Sequence, residues 1–140
     1  SVFDITEFLF EGAVLKEREF RRSLREFDFS FFSRKIVALQ CSSDAIIPMW
    51  SYMLITSLLN NVGAEVYFGD KETVFQNLFL KNIETIDVVE FTNKKIIIKG
   101  CSDIPLSESL YIAIVKKLQG HVSSLMFGEA CSAVPVFKNK

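Results

Sequence analysis

Four short apolar runs, alternating with stretches of helical spacing, restrict what this chain can fold into more than any other feature. They are Lys35-Ile-Val-Ala-Leu-Gln40, Ala64-Glu-Val-Tyr-Phe68, Lys95-Ile-Ile-Ile-Lys99 and Val122-Ser-Ser-Leu-Met-Phe127. Their apolar content fits strands covered on both faces. Pro48 suits the first turn of a helix running to about Asn60, which Asn61-Val-Gly63 ends. The most apolar segment, Ile46 to Leu59, reads as a buried helix with Trp50, Tyr52 and Met53 in its core. Asp70 can cap a second helix, in which Val74, Phe75, Leu78 and Phe79 recur at helical spacing. Ser107 can cap a third, with Leu110, Tyr111, Ile114, Val115 and Leu118 as its stripe and Gly120 closing it. Residues Ile83 to Phe91 fit neither period and read as irregular connection.

Strand–helix–strand alternation of this kind implies right-handed parallel crossovers. The expected fold is therefore α/β: a three-layer sandwich with a mainly parallel four-stranded sheet, the runs lying in the order 2-1-3-4. An N-terminal Phe-rich helical segment adds to it. Eight of the fourteen phenylalanines fall within the first 32 residues, and Lys16 to Asp28 reads as an amphipathic helix with Phe20, Leu24 and Phe27 on one face. Residues 1–34 are expected to pack on the sheet, because large apolar patches are rarely left exposed, with a homodimer contact as the alternative use. No repeat of solenoid length, low-complexity tract or linker stands out, so residues 1–140 read as a single α/β domain.

At 49% hydrophobic and 24% charged residues, the chain has globular composition. A net charge of −1 with interspersed signs offers no basic stripe for nucleic acid and no polybasic membrane patch. No apolar run approaches the roughly 18–20 residues of a membrane span. The N-terminus carries Asp4, Glu7 and Glu11 where a secretion signal would be basic and then apolar. The chain begins at Ser1, without Met, which leads us to expect native residues before it. Three cysteines, an odd number, argue against a disulfide framework and for a reducing compartment, cytoplasmic by default.

Each cysteine precedes a serine just beyond an expected strand. The turns are Cys41-Ser-Ser-Asp-Ala-Ile-Ile-Pro48, Gly100-Cys-Ser-Asp-Ile-Pro105 and Gly128-Glu-Ala-Cys-Ser-Ala-Val-Pro135. In a 2-1-3-4 sheet the first, third and fourth strands are neighbours, and ligands bind outside their carboxyl ends. Cys41, Cys101 and Cys131 thereby become candidate metal ligands. Outer strand tips would lie roughly 10 Å apart. That suits an iron–sulfur cluster better than one zinc ion, which needs sulfurs about 2.3 Å from the metal. Asp44, Asp70, Asp103 and Glu129 are candidates for a fourth ligand or an acid/base. Trp50 and Lys99 are candidate ligand contacts. The chain has no CxxC pair and one histidine, so no recognised metal motif is present.

Three rival readings stay open. The cysteines could simply finish buried strands. One thiol near a helix N-terminus, with Asp44 or Asp70 as base, could serve an enzyme acting on a small anionic substrate. The chain could also be an interaction module whose Phe-rich segment docks a partner. His121, following Gly120, is expected to cap carbonyls at a helix end.

The strings Cys41-Ser-Ser-Asp-Ala-Ile-Ile-Pro-Met-Trp-Ser-Tyr-Met53, Lys99-Gly-Cys-Ser102 and Ser124-Leu-Met-Phe-Gly-Glu-Ala-Cys-Ser-Ala-Val-Pro135 are similar to an uncharacterised bacterial family, domain of unknown function 2480. The resemblance covers nearly the whole chain, including Phe3-Asp-Ile and Leu15-Lys-Glu. Ala130 departs from it, since relatives usually carry Pro before the cysteine. The resemblance implies a further N-terminal stretch, no established activity, and genes beside those for iron–sulfur assembly proteins, which become expected partners. It marks Cys41, Asp44, Trp50, Cys101, Glu129 and Cys131 as positions to test.

Overall fold

Three consecutive residues at the start of the chain, Val2-Phe3-Asp4, decide the first half of the architecture by forming a strand. The computed structural model describes residues 1–100 and 106–139. It divides into two compact units, Ser1–Val74 and Phe75–Lys140. In the first unit, β1 (Val2–Asp4), β2 (Ile36–Gln40) and β3 (Glu65–Phe68) form a parallel sheet in chain order. Helix α1 (Glu17–Glu26) joins β1 to β2, and α2 (Met49–Asn61) joins β2 to β3. Helix α3 (Lys71–Glu84) crosses the division between the units. In the second unit, β4 (Lys95–Ile98) and β5 (Ser124–Phe127) are parallel and joined by α4 (Glu108–Leu118). Strand β6 (Val134–Lys138) lies antiparallel to β5.

The protein is thus mixed α/β, and the four expected strands all form. They do not form one sheet of order 2-1-3-4: the structure shows two three-stranded sheets, β1-β2-β3 and β4-β5-β6. The reason is the pairing of β2, whose two edges are taken by β1 and β3. Three residues are too few to display alternation, so β1 carries no periodic signal. Strand β6 contains Pro135, which demotes a run to an edge strand, and its register shifts opposite Leu125 and Met126. Residues 1–34 accordingly begin as a strand of the sheet before contributing a helix.

The N-terminal phenylalanines fill the first unit's core. Phe3, 2% exposed, lies parallel to Phe8 and Phe29 at centroid distances of 5.1 and 5.9 Å, and meets Phe27 edge-on at 5.8 Å. Such pairs contribute about 0.5–1.5 kcal/mol each beyond their burial. Phe20 and Leu24 of α1 join Ile55 and Leu59 of α2 in the same core. Phe10 and Phe31 remain exposed, each under a lysine ammonium, Lys16 and Lys35 respectively.

Helix α2 is not buried all round. Ser51, Ile55 and Leu59, at i, i+4 spacing, are fully buried, whereas Met49 and Met53 are exposed. Met53 is therefore not core, while Trp50 and Tyr52 are half-buried. The buried Ser51 hydroxyl is satisfied by donating to the Pro48 carbonyl at 2.6 Å. Pro48 itself stands at the N-cap rather than inside the first turn.

The two units repeat one pattern at a spacing of 59 residues, although no repeat stands out in the sequence. Asp28 and Asp87 each accept a backbone N–H two residues on and cap a short 3-10 turn, Phe29–Phe32 in one unit and Val88–Phe91 in the other. Arg34 and Asn93 follow these turns in the left-handed region, at φ 59° and 60°. Their amides donate to the carbonyls of Val62 and His121, again 59 apart. Ile36 to Leu39 pair with Glu65 to Phe68 just as Lys95 to Ile98 pair with Ser124 to Phe127. Gly69 donates to Leu39 and Gly128 to Ile98, both at 2.9 Å. Tyr52 meets Phe68 edge-on at 5.6 Å, and Tyr111 meets Phe127 at the same distance. The stretch Ile83 to Phe91 is accordingly the end of α3 and the second unit's 3-10 turn, rather than irregular connection.

The units differ in what surrounds this shared β-α-β element. The first adds β1 on the far side of β2, while the second adds β6 on the far side of β5.

Candidate functional site

The carboxyl ends of β1 and β2 converge on a hydroxyl-rich turn that holds Cys41. Thr6 Oγ1 is its pivot, accepting the backbone N–H groups of Ser42 and Ser43 at 3.1 Å each and the Ser42 hydroxyl at 3.2 Å. Asp4 Oδ1 accepts the N–H of Ser42 at 3.1 Å and that of Thr6 at 3.0 Å. Burial pushes the Asp4 carboxyl upward, but the hydrogen bonds from Ser42 and Thr6 outweigh it and hold the group below its ordinary range. The Cys41 thiol is half-buried and free. Its sulfur donates to the Ser43 carbonyl at 3.6 Å, with Ser43 Oγ at 3.5 Å and Thr6 Oγ1 at 3.6 Å. Either the Thr6 hydroxyl or the Cys41 thiol can supply the proton between them. Tyr52 of α2 is near enough to feel this thiol. Burial, and then the nearby Cys41 charge, push its phenol pKa up.

Neither Asp4 nor Thr6 stands out in the sequence. Their partners come 38 and 36 residues later, and the only local hint is the Asp-Ile-Thr turn at the end of a three-residue strand.

The other candidate residues fall in several places. Asp44 is exposed. Asp70 is occupied as the cap of α3, accepting the Thr73 N–H at 2.7 Å. Backbone and side-chain hydrogen bonds from Thr73 lower its pKa. Trp50 packs edge-on against Phe20 at 5.8 Å, with the Arg21 guanidinium 4.8 Å from its ring. In the second unit, Cys131 is free and exposed on the turn between β5 and β6. Lys99 and Glu129 form an exposed ion pair at 3.3 Å. His121 uses its backbone rather than its side chain, donating to Leu118 and accepting from Asn93. Cys101 and Asp103 lie outside the described residues. Among the described residues, no group of three or more His, Cys, Asp or Glu is placed to hold a metal ion.

The repeat alters how the cysteine turns compare. At a spacing of 59, Cys41 corresponds to Gly100 and Ser42 to Cys101, while Ser43-Asp44 corresponds to Ser102-Asp103. The recurring pair after the first strand of each unit is Ser-Asp; the cysteines are one position out of step. Strands β2 and β4 belong to different sheets rather than lying side by side in one.

One feature without a sequence signal is an apolar cavity of about 370 Å³ in the second unit. It is lined by Ile98, Tyr111, Ile114, Val115, Phe127 and Val136 among others. Its counterparts of Ile98 and Ile114 in the first unit, Leu39 and Ile55, are buried at 3% and 0% exposure.

Fold and turn together define a mixed α/β protein made from a repeated β-α-β element, with a free thiol at the carboxyl end of one parallel sheet. The chain belongs to the family described as Protein of unknown function (DUF2480), whose model matches residues 1–139. No curated protein and no solved structure matches it.

Proposed function

We propose that the protein binds a soft metal ion or an iron–sulfur cluster through cysteine, with Cys41 as the anchoring ligand, as an accessory to iron–sulfur assembly in a reducing compartment such as the cytoplasm. The observation that carries this reading is where the described thiols sit. Cysteines that merely finish strands are buried. Cys41 is half-buried at the carboxyl end of β2 and Cys131 is exposed, and both are free. The hydroxyls of Thr6 and Ser43 lie within 3.6 Å of the Cys41 sulfur, where they can donate to a ligating thiolate and orient it.

Cys101 and Cys131 are the remaining thiols for such a site, with Asp44, Asp103 or Glu129 as oxygen ligands. Asp70 is a weaker choice because it caps α3. A thiol enzyme acting on an anionic substrate draws less support, since the Asp4 carboxylate is bonded to the amide beside Cys41. Among the described residues, no helix is long and apolar enough to cross a membrane.

The test is metal analysis and visible absorption of protein purified without oxygen, for the native chain and for Cys41→Ser, Cys101→Ser and Cys131→Ser. We expect stoichiometric iron or zinc in the native chain and its loss in Cys41→Ser. A native chain that stays metal-free after reconstitution with iron and sulfide, or with zinc, would remove the reading.

A further inference from the structure

We infer that the open edge of β4 is a docking site for an extended peptide of a partner protein. The peptide adds as a parallel strand and carries an aromatic residue followed by an acid. The repeat is what makes this edge readable. Strand β2 has partners on both sides, whereas among the described residues its counterpart β4 is paired only with β5. The first unit therefore displays an occupant with no counterpart among the second unit's described residues, its own Val2-Phe3-Asp4.

The hydrogen-bonding groups of the edge match. Ala38 donates its N–H to the Ser1 carbonyl at 2.8 Å, and the Ser1 amine donates to the Ile36 carbonyl at 3.1 Å. In the second unit, Gly128 donates to Ile98, so the polar backbone of Ile98 faces β5. Backbone groups alternate along a strand, which turns the Ile97 N–H and the Lys95 carbonyl to the free edge. These are the counterparts of the Ala38 N–H and the Ile36 carbonyl.

The apolar platform matches too, and its described residues are more exposed. Ala38 is 3% exposed and Ile97 40%. Val37 and Leu39 are buried, while Ile96 and Ile98 are only half-buried. Phe29 and Phe32, which touch the Phe3 ring, are buried; their counterparts Val88 and Phe91 are half-buried. An aromatic side chain in the register of Phe3 lies opposite Ile98, as Phe3 lies opposite Leu39.

Charge selects the occupant. Asp4 lies opposite Gln40, whose counterpart is Lys99, so an acid at that peptide position faces a lysine across the strands. Lys99 now pairs with Glu129 on the surface, an exposed contact that is readily exchanged. A second copy of the chain fits poorly. Two β4 strands paired about a two-fold axis at Ile97 place Lys95 opposite Lys99, and like charges in that position repel. Addition of a peptide strand to such an edge draws affinity from the backbone and specificity from alternate side chains.

The probe is a labelled peptide, Ser-Val-Phe-Asp-Ile-Thr-Glu-Phe-Leu, titrated against the full chain by fluorescence anisotropy, with amide shifts mapping the contact. We expect saturable binding that perturbs the Ile97 amide. Ile97→Pro should weaken it about tenfold, because that N–H is the edge donor and makes no bond to β5. As a second variant, Lys99→Glu should weaken the native peptide and be rescued when the peptide's Asp is changed to Lys. Absence of saturable binding, meaning an edge merely guarded by lysines, would overturn the inference. So would binding that neither variant alters, which would place the peptide on β2 instead. A dimer that Ile97→Pro dissolves would assign the edge to a second copy and overturn it equally.

Discussion

At the scale of single residues, the turn after β2 depends on side chains from β1 and the residues just beyond it. Thr6 Oγ1 serves the Ser42 and Ser43 amides, so Thr6→Val strips both of their acceptor. Because the turn is partly open to water, we expect a loss of only about 1 kcal/mol in urea denaturation, together with faster alkylation of Cys41. Asp4 gives a pH dependence whose sign follows from its lowered pKa. A carboxyl that is more acidic folded than unfolded adds stability above its unfolded value, and loses it as pH falls through the folded one. Asp4→Asn should flatten the stability profile below about pH 4 relative to the native chain, as measured by denaturation across pH. The cysteines are visible in the sequence as candidates, but Asp4 and Thr6 are not. What makes them neighbours of the Cys41 turn is the β1–β2 pairing, and no local spacing encodes it.

Whole elements were more legible than their pairings. The apolar runs and caps place β2 to β5 and all four helices within a few residues, because each is long enough to show its period. Strands β1 and β6 escape, one through brevity and the other through Pro135. The left-handed residue before each β-α-β element is a further test. Arg34 at φ 59° carries a Cβ penalty that glycine would remove, so Arg34→Gly should stabilise by up to about 1 kcal/mol. Asn93→Gly should change little, since Asn tolerates that region. Thermal or urea melts of both variants decide the matter. Counterpart core positions should also differ between the units. Leu39→Ala is expected to cost about 2–5 kcal/mol and Ile98→Ala about half as much, because Leu39 is buried and Ile98 only half so.

For the whole molecule, the spacing of 59 is the organising fact, and it is nearly silent in the sequence. The matching residues are scattered singles such as Phe32 and Phe91, Tyr52 and Tyr111, and Leu59 and Leu118, with short strings only at Ser43-Asp44 and Phe68-Gly69. Packing tolerates exchange among apolar residues of similar size, so a fold can repeat where its sequence has drifted. Alternation of strands and helices points to a single sheet because it does not reveal that an extra strand closes β2. Among the described residues, β2 is closed by β1, whereas its counterpart β4 has no strand on its second edge. Native-state hydrogen exchange, amide by amide, tests this most directly. Ala38 should exchange slowly and Ile97 rapidly, with Ile96 and Ile98 protected by β5. An Ile97 amide as protected as that of Ala38 would contradict it.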